Sequence, residues 1–574
     1  MKRQDNQLFE TNCQEIITSE EYIDVVREVT DEEIEANIDN PEYACVHQLN
    51  DQYGVFYVSR EGLTCDEAYR MTPYQEVPNL YGLYGKRAVA AAGIAEVQNL
   101  PALQLTGLDV LIGVVDTGID YTHEAFIYED DTTKIVRLWD QTGVGNPPEG
   151  FKFGTEYDDT QINEALLADD PFSLVAEMDD IGHGTFIAGA AAGRENNSEN
   201  FIGAAPDADL VIVKLKPAKE CIKEFYLVNK DAIAYQSHDV VLGVNYCLDM
   251  ARELNRPIVI LLGCGDNMGP HNGQTITEMV LAEVGMNSGV IVTVPAGNEA
   301  NLYHHYRGIF REDEESQDVQ FNVPEGEEGF YLSFWNNIPD KYTVGLISPR
   351  GTATGQIPFK TDQKQEITFI EERTEILIEY AFVEKRTGDQ AIFIRLKYPS
   401  PGIWTLIVYG DIVLNGIYDI YLPREGFVDP LTRFLQPDPY TTVTSPATNP
   451  ATITVGAYND ITSSLYLSSG RGLTRGLAIK PDLVAPGVNV IGPYPRGEYG
   501  SMTGTGVSTA ITAGACALLL QWGVIQNNLP SMDTVIAKTF LIRGAYRRPA
   551  IEYPNREWGY GELDLINTFR IIET

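Results

Sequence analysis

The sequence predicts an α/β fold: a parallel sheet with helices on both faces, an α+β region before it, and an inserted all-β domain. Three features carry that prediction. Between residues 93 and 305, short apolar runs alternate with helical stretches. From 306 to 430 the texture changes to segments that alternate apolar and polar residues between turns, and from 431 to 574 the first pattern returns. Strand, helix, strand at such spacing builds parallel sheets, whereas period-two alternation marks half-buried antiparallel strands.

Taken in order, residues 1–92 are acidic, with strand character at 44–47 and 54–58 and a helical stretch near 66–71. Thr106 and Gly107 precede an apolar strand at 110–115 that ends on Asp116. Further strands are expected at 210–215, 258–262 and 290–295, with helices at 237–253 and up to Val284 between them. Segments 329–335, 342–347, 391–396 and 404–409 have no helix among them, which points to an antiparallel sandwich or jelly roll. Strand character resumes at 451–455. The stretch from Ile511 to Leu518 is apolar or small on every face and reads as a buried central helix.

The chain has 574 residues, 44% hydrophobic and 21% charged, enough to bury a large core. Its net charge of −41 repels phosphate backbones and anionic headgroups, so nucleic-acid and membrane-surface roles are not expected. Solubility is the plain reading of that charge, and docking of basic partners the other. Met1-Lys2-Arg3 is followed by no apolar signal core, and no stretch reaches the roughly 20 uninterrupted apolar residues of a span. Synthesis in a cytoplasm without a signal peptide is expected. The seven cysteines are scattered, without CxxC, and are expected to be buried reduced thiols. The seven histidines lack paired ligand spacing, so a zinc enzyme is not indicated.

Serine proteolysis needs a nucleophile, a base, an acid to orient the base, and donors for the oxyanion. Three stretches fit an Asp, His, Ser order. Asp116-Thr117-Gly118 ends a buried strand on an acid, where parallel sheets carry active residues; an acid capping a turn is also common. Gly182-His183-Gly184-Thr185 opens a small-residue helix, and its glycines leave room beside His183, although an ordinary helix-start histidine has the same look. Gly504-Thr505-Gly506-Val507-Ser508 runs into the buried helix, which by itself could be no more than a glycine-rich turn.

Together these stretches resemble the subtilase (S8) family of serine proteases. The likeness extends to Gly203-Ala204-Ala205-Pro206, Ala296-Gly297-Asn298 and Ala485-Pro486-Gly487, and covers roughly residues 95–300 and 440–570. It implies that Asp116 orients, that His183 is the base, and that Asn298 donates to an oxyanion. It implies that Gly263, Cys264 and Gly265 line the primary substrate groove, where the family keeps Ser-Leu-Gly. It also implies that residues 1–92 are a prodomain that folds the enzyme and occupies its groove. The β insertion and the missing signal peptide look most like the clostridial Csp subtilases of spore germination, some of which have a damaged triad. Other germination proteases, a peptide or a protein would then be partners, with incorporation into spores. Subtilases often bind calcium, but no loop here carries ligand spacing that marks a site.

The pattern breaks at one position. Gly506 stands where the family has its nucleophilic serine, so no acyl-enzyme can form there. Ser508, two residues on, is expected to face away from His183 because a helix turns about 200° over that distance. The leading expectation is a pseudoprotease that regulates or senses by binding. The alternative is an active serine-type endopeptidase with an unconventional nucleophile, Thr503 and Thr505 being the nearer hydroxyls.

Overall fold

The computed structural model describes residues 21–28, 45–50, 53–60, 62–63, 68 and 87–572, without 312–313 and 361–363. The chain divides into two compact units, Met1–Leu83 and Tyr84–Thr574. In the first, strands β1 (Tyr22–Glu28), β2 (Cys45–Asn50) and β3 (Tyr53–Ser59) form an antiparallel sheet in the order β1-β3-β2. Ile23, Val25 and Phe56 are buried. The helix expected near 66–71 lies outside the described residues except for Ala68. Cys45, expected as a free thiol, is disulfide-bonded. Cys221 is exposed, against the expectation of burial, while Cys247 and Cys516 are buried free thiols.

The second unit is built on a largely parallel sheet of β4 (Leu111–Asp116), β5 (Ile135–Asp140), β6 (Thr155–Asp158), β7 (Asp209–Lys214), β8 (Ile258–Leu262) and β9 (Val290–Pro295). After the insertion it continues in β20 (Ile453–Asn459), β21 (Ser464–Leu465) and β22 (Leu483–Pro486). The order is β21-β20-β9-β8-β4-β7-β5-β6, with β22 beside β20. Strands β4, β8 and β9 are buried at every position, as their continuous apolar runs require when helices cover both faces. On one face lie the helices His183–Ala192 and Thr505–Leu520, packed with Ile112, Val114 and Ile212 of the sheet. The Ser237–Glu253 and Ile276–Gly285 helices cover the other.

The helical segment Thr505–Ile525 is apolar on average, with Ser508, Thr509, Thr512 and Gln521 interrupting the run. By length and composition it could cross a bilayer, yet 83% of its apolar 18-residue window is buried inside this protein. Small residues let it pack so closely. An added Cβ on Gly514 would stand 2.3 Å from the Ala204 Cβ.

The inserted domain is a two-sheet antiparallel sandwich. Its strands are β10 (His305–Ile309), β11 (Ser316–Val323), β12 (Gly329–Asn336), β13 (Lys341–Ile347), β14 (Lys364–Phe369) and β15 (Thr374–Ala381). They continue through β16 (Gln390–Lys397), β17 (Gly402–Ile412), β18 (Ile417–Tyr421) and β19 (Arg433–Phe434). One sheet runs β10-β18-β12-β16-β15-β14 and the other β13-β17-β11-β19. Alternate residues point inward, so Phe330, Leu332, Phe334, Trp404, Leu406 and Val408 share one core.

A buried polar joint fastens this sandwich to the α/β part. Asp419 of β18 accepts from His305 Nε2 at 3.0 Å and from Arg307 Nε at 2.8 Å, and Arg475 Nε lies 3.2 Å from its other oxygen. Although burial works against its charge, these three partners hold its carboxyl well below the usual range. Tyr421 stacks between His271, 3.9 Å away, and His305, 4.6 Å away.

A hairpin of β23 (Val490–Tyr494) and β24 (Glu498–Met502) lies across the His183–Ala192 helix. Its approach depends on Gly189, where an added Cβ would fall 2.1 Å from Pro493 Cγ. Gly189→Ala is therefore expected to lower stability by about 1–3 kcal/mol, as overpacking does, in a denaturant titration. An unchanged midpoint would mean that the hairpin yields freely.

Candidate active site

Asp116 ends β4, and His183 opens its helix behind Gly182, whose φ of 86° suits a glycine. The two side chains meet at 2.8 Å, Nδ1 to Oδ1, which leaves His183 Nε2 turned away from the acid. Asp116 is 3% exposed and His183 34%. Burial disfavours the proton on His183, but the Asp116 carboxylate outweighs it and raises the imidazole above its ordinary pKa of 6.5. Asp179 acts in the same direction and Arg424 against it.

What holds these elements in register is Asp179, which lies just before the histidine helix and was assigned no role from the sequence. One of its oxygens accepts from Thr117 Oγ1 at 2.8 Å and from Gly182 N at 2.9 Å. The other accepts from Thr185 N at 2.9 Å and Thr185 Oγ1 at 2.7 Å. Thr117 Oγ1 in turn accepts from Gly184 N at 2.8 Å. An acid shortly before a helix start was the available signal, because such residues bond first-turn N–H groups.

Gly506 sits in the first turn of the Thr505–Leu520 helix, opposite His183. An added Cβ would stand 3.6 Å from His183 Nε2 and 3.5 Å from Ile187 Cδ1, in ordinary contact with both. The position is thus shaped for a small side chain and lacks one. Asn298 lies beside it, and its Oδ1 accepts from Thr505 N at 3.1 Å. Its Nδ2 takes no partner among the described residues, and an added Cβ on Gly504 would be 3.4 Å from that atom. Asp116, His183, Gly506 and Asn298 therefore surround one point.

The remaining hydroxyls are engaged elsewhere. Ser508 is fully buried and donates to Thr505 O at 2.9 Å, and its Cβ lies close to the position a Cβ on Gly487 would take. Thr505 Oγ1 donates to Asn298 at 3.2 Å and accepts from Gly297 N at 3.1 Å. Thr503 Oγ1 accepts from Asn489 N at 2.9 Å.

Gly263, Cys264 and Gly265 follow β8, and each meets the site differently. Gly263 lies directly against the pair: a Cβ there would overlap Asp116 Oδ2 at 1.6 Å and stand 3.1 Å from His183 Cε1. Asp116 Oδ2 is buried and has no hydrogen-bond partner among the described residues. Burial, with the Asp116 charge, pushes the Cys264 thiol up to about 12. Gly265 O accepts from Arg424 Nη1 at 3.1 Å.

Beyond β8 and β9 the chain ends splay apart, and the segment holding Thr444 and Ser445 bridges them. Thr444 N donates to Ala296 O at 3.1 Å, and Ser445 exchanges two bonds with Asp266, at 2.8 and 3.0 Å. The Thr444 side chain fills the gap: an added Cβ would come within 2.4 Å of its Oγ1 from Gly297 and within 3.1 Å from Gly265. Thr444 and Arg424 carried no local signal, since both are distant in sequence from the residues they touch. No group of three or more His, Cys, Asp or Glu among the described residues is placed to hold a metal ion. The calcium that the family resemblance allows therefore has no acidic cage in this part of the molecule.

An acid–imidazole pair at the carboxyl end of a parallel sheet, facing a helix N-terminus and an asparagine amide, defines a subtilisin-type serine-protease site. The chain belongs to the subtilase family, whose model matches residues 107–327 and 436–561. Its structure is similar to that of the Clostridium perfringens CspB protease, with a TM-score of 0.76 and 33% identity over 85% of this chain and all of that one. It is 34% identical over 105 residues to subtilisin NAT of Bacillus subtilis subsp. natto, which is 17% of this chain and 26% of that protein. It is 32% identical over 141 residues to the mouse (Mus musculus) membrane-bound transcription factor site-1 protease, 24% of this chain and 13% of the other. These matches span about a quarter or less of the two relatives' own length.

The raised imidazole carries a pH signature. Because its folded-state pKa lies above the unfolded value, the pair's stabilisation is complete below about pH 6.5 and is lost as pH rises through the folded value. Asp116→Asn removes the attraction but keeps the burial, so the His183 pKa is expected to fall below 6.5. An NMR titration of the imidazole would show this, and an unmoved pKa would assign the shift to other groups.

Proposed function

We propose that this chain is a subtilase without its catalytic step, a pseudoprotease that holds a peptide segment in its groove and acts by binding. One observation carries the reading: Gly506 occupies the nucleophile's place, in contact distance of His183 Nε2, with no atom that can attack a carbonyl. Loss of the serine lowers turnover in a subtilisin by on the order of 10⁶-fold. Oxyanion donors and binding alone leave roughly 10³–10⁴-fold over water. The engagement of Ser508, Thr505 and Thr503 with backbone and amide groups supports the same reading.

The groove's own occupant in this proposal is the N-terminal region, residues 1–92, which the chain cannot excise without a nucleophile. The similarity to the Clostridium perfringens CspB protease along the whole of that structure supports a Csp-type reading, and a regulatory or sensing role in spore germination, alongside active germination proteases, is what the family resemblance implies for it. The surviving Asp116–His183 hydrogen bond favours a second reading, an endopeptidase with an unconventional nucleophile.

Intact mass separates the two. The purified native chain is expected to remain at 63.6 kDa, while Gly506→Ser sheds its N-terminal region. Shedding by the native chain, dependent on His183 and with no other protease present, would establish the second reading instead.

A further inference from the structure

We propose that the Arg194 guanidinium is a built-in replacement for the calcium ion that the family resemblance allows, fastening the segments beyond Asp116 and His183 without metal. The proposal does not depend on the fate of the nucleophile.

Two stretches of chain meet at this place. The chain that leaves β4 through Asp116 makes a 3₁₀ turn at Glu124–Phe126, and the chain that leaves the His183–Ala192 helix returns through residues 193–203. Asp179 joins the two beside the Asp116–His183 pair. Arg194 joins them at the other end of the helix. Its backbone N donates to Ala125 O at 3.0 Å, and its Nη1 donates to Ile127 O at 2.6 Å. Its Nη2 lies 3.3 Å from Glu129 Oε1, and only 28% of the side chain is exposed. Asn196 Nδ2 adds a bond to Glu124 Oε1 at 2.5 Å. The loop then closes on itself, since Asn196 and Phe201 exchange two backbone bonds of 2.9 Å. Tyr499 of β24 packs over it, with its ring 5.4 Å from Phe201 and 4.9 Å from His123.

Between the two stretches lies a polar cavity of about 410 Å³, lined in part by Glu124, Arg194, Glu195, Asn196 and Ser198. Its surroundings are acidic. Residues 123–131 and 194–201 hold Glu124, Glu129, Asp130, Asp131, Glu195 and Glu199 against a single arginine. Carboxylate and carbonyl oxygens gathered in such a field are the usual setting for calcium.

The residues present do not fit that ion. Calcium takes about six to eight oxygens at roughly 2.3–2.6 Å, and the oxygens here already face N–H and O–H donors. The guanidinium holds Ile127 O and faces Glu129, while the Arg194 amide holds Ala125 O. Asn196 Oδ1 accepts from Ser198 N at 2.9 Å, Ser198 Oγ at 2.6 Å and Glu199 N at 3.2 Å. No three of His, Cys, Asp or Glu among the described residues converge as a ligand set.

A guanidinium can do what such an ion does for the fold. It stays positive at any physiological pH, and its planar fork binds a carbonyl and a carboxylate at once. A bound ion stabilises only in proportion to its free concentration. An arginine is attached to the chain, so this fastening does not vary with metal supply. It also places one fixed positive charge where a chain of net charge −41 gathers acids.

Hydrogen exchange at the amides of residues 193–203, measured in the full-length protein, reports this fastening locally. In the native protein, exchange there is expected to be the same in millimolar calcium chloride and in EGTA. Arg194→Gln keeps N–H donors but loses the charge, and its exchange should be about tenfold faster or more, the worth of one hydrogen bond to a charged group. Arg194→Lys restores the charge without the fork and should fall between the two. Circular dichroism checks that each variant keeps the fold. Calcium that slows exchange in this segment of the native protein, or EGTA that speeds it, would overturn the proposal. So would an Arg194→Gln protein as well protected as the native one, or an Arg194→Lys protein no better protected than Arg194→Gln.

Discussion

The site depends on one buried carboxylate that takes no part in chemistry. Asp179 is 1% exposed and binds both the turn after Asp116 and the first turn of the histidine helix. Both of its oxygens are used, so its charge is compensated by donors rather than by a cation. Remove that link, and the 2.8 Å contact between Asp116 and His183 would rest on the apolar core and on two remaining bonds, Gly184 N to Thr117 Oγ1 and Asp120 N to Thr185 Oγ1.

The same logic explains an imperfect feature. Asp116 Oδ2 is buried without a partner among the described residues, pressed against Gly263, where any side chain would collide with it. Unpaired buried oxygens cost on the order of 1–3 kcal/mol. Gly263 and Gly506 are thus two glycines that both lie against one histidine.

The inserted sandwich is tied into the same unit by charge as well as by packing. Asp419, His305, Arg307 and Arg475 form its buried polar joint, and the chain returning from the sandwich carries Arg424 to the carbonyl of Gly265. The inserted domain thereby reaches the segment that follows β8. Loops set on such a scaffold can shape a binding site without disturbing the sheet beneath it.

Much of this was legible in the amino-acid order because it depends on local pattern. Strands at 258–262 and 290–295 and the helix at 237–253 appear where their periodicity placed them, since buried parallel strands and amphipathic helices write their environment into adjacent residues. The positions of Asp116, His183, Asn298 and Gly506 were legible as motifs with fixed neighbours. The role of Asp179, the floor made by Thr444, the reach of Arg424 and the disulfide at Cys45 were not. The first three depend on groups far apart in the chain meeting at hydrogen-bond or contact distance, and no local periodicity records such a meeting or a covalent pairing. The sequence by itself determined the sheet, the family and the glycine at position 506. Only the tertiary structure decided that this glycine faces open space beside an imidazole nitrogen and an amide with no partner among the described residues, because those facts are distances between elements and not properties of any one of them.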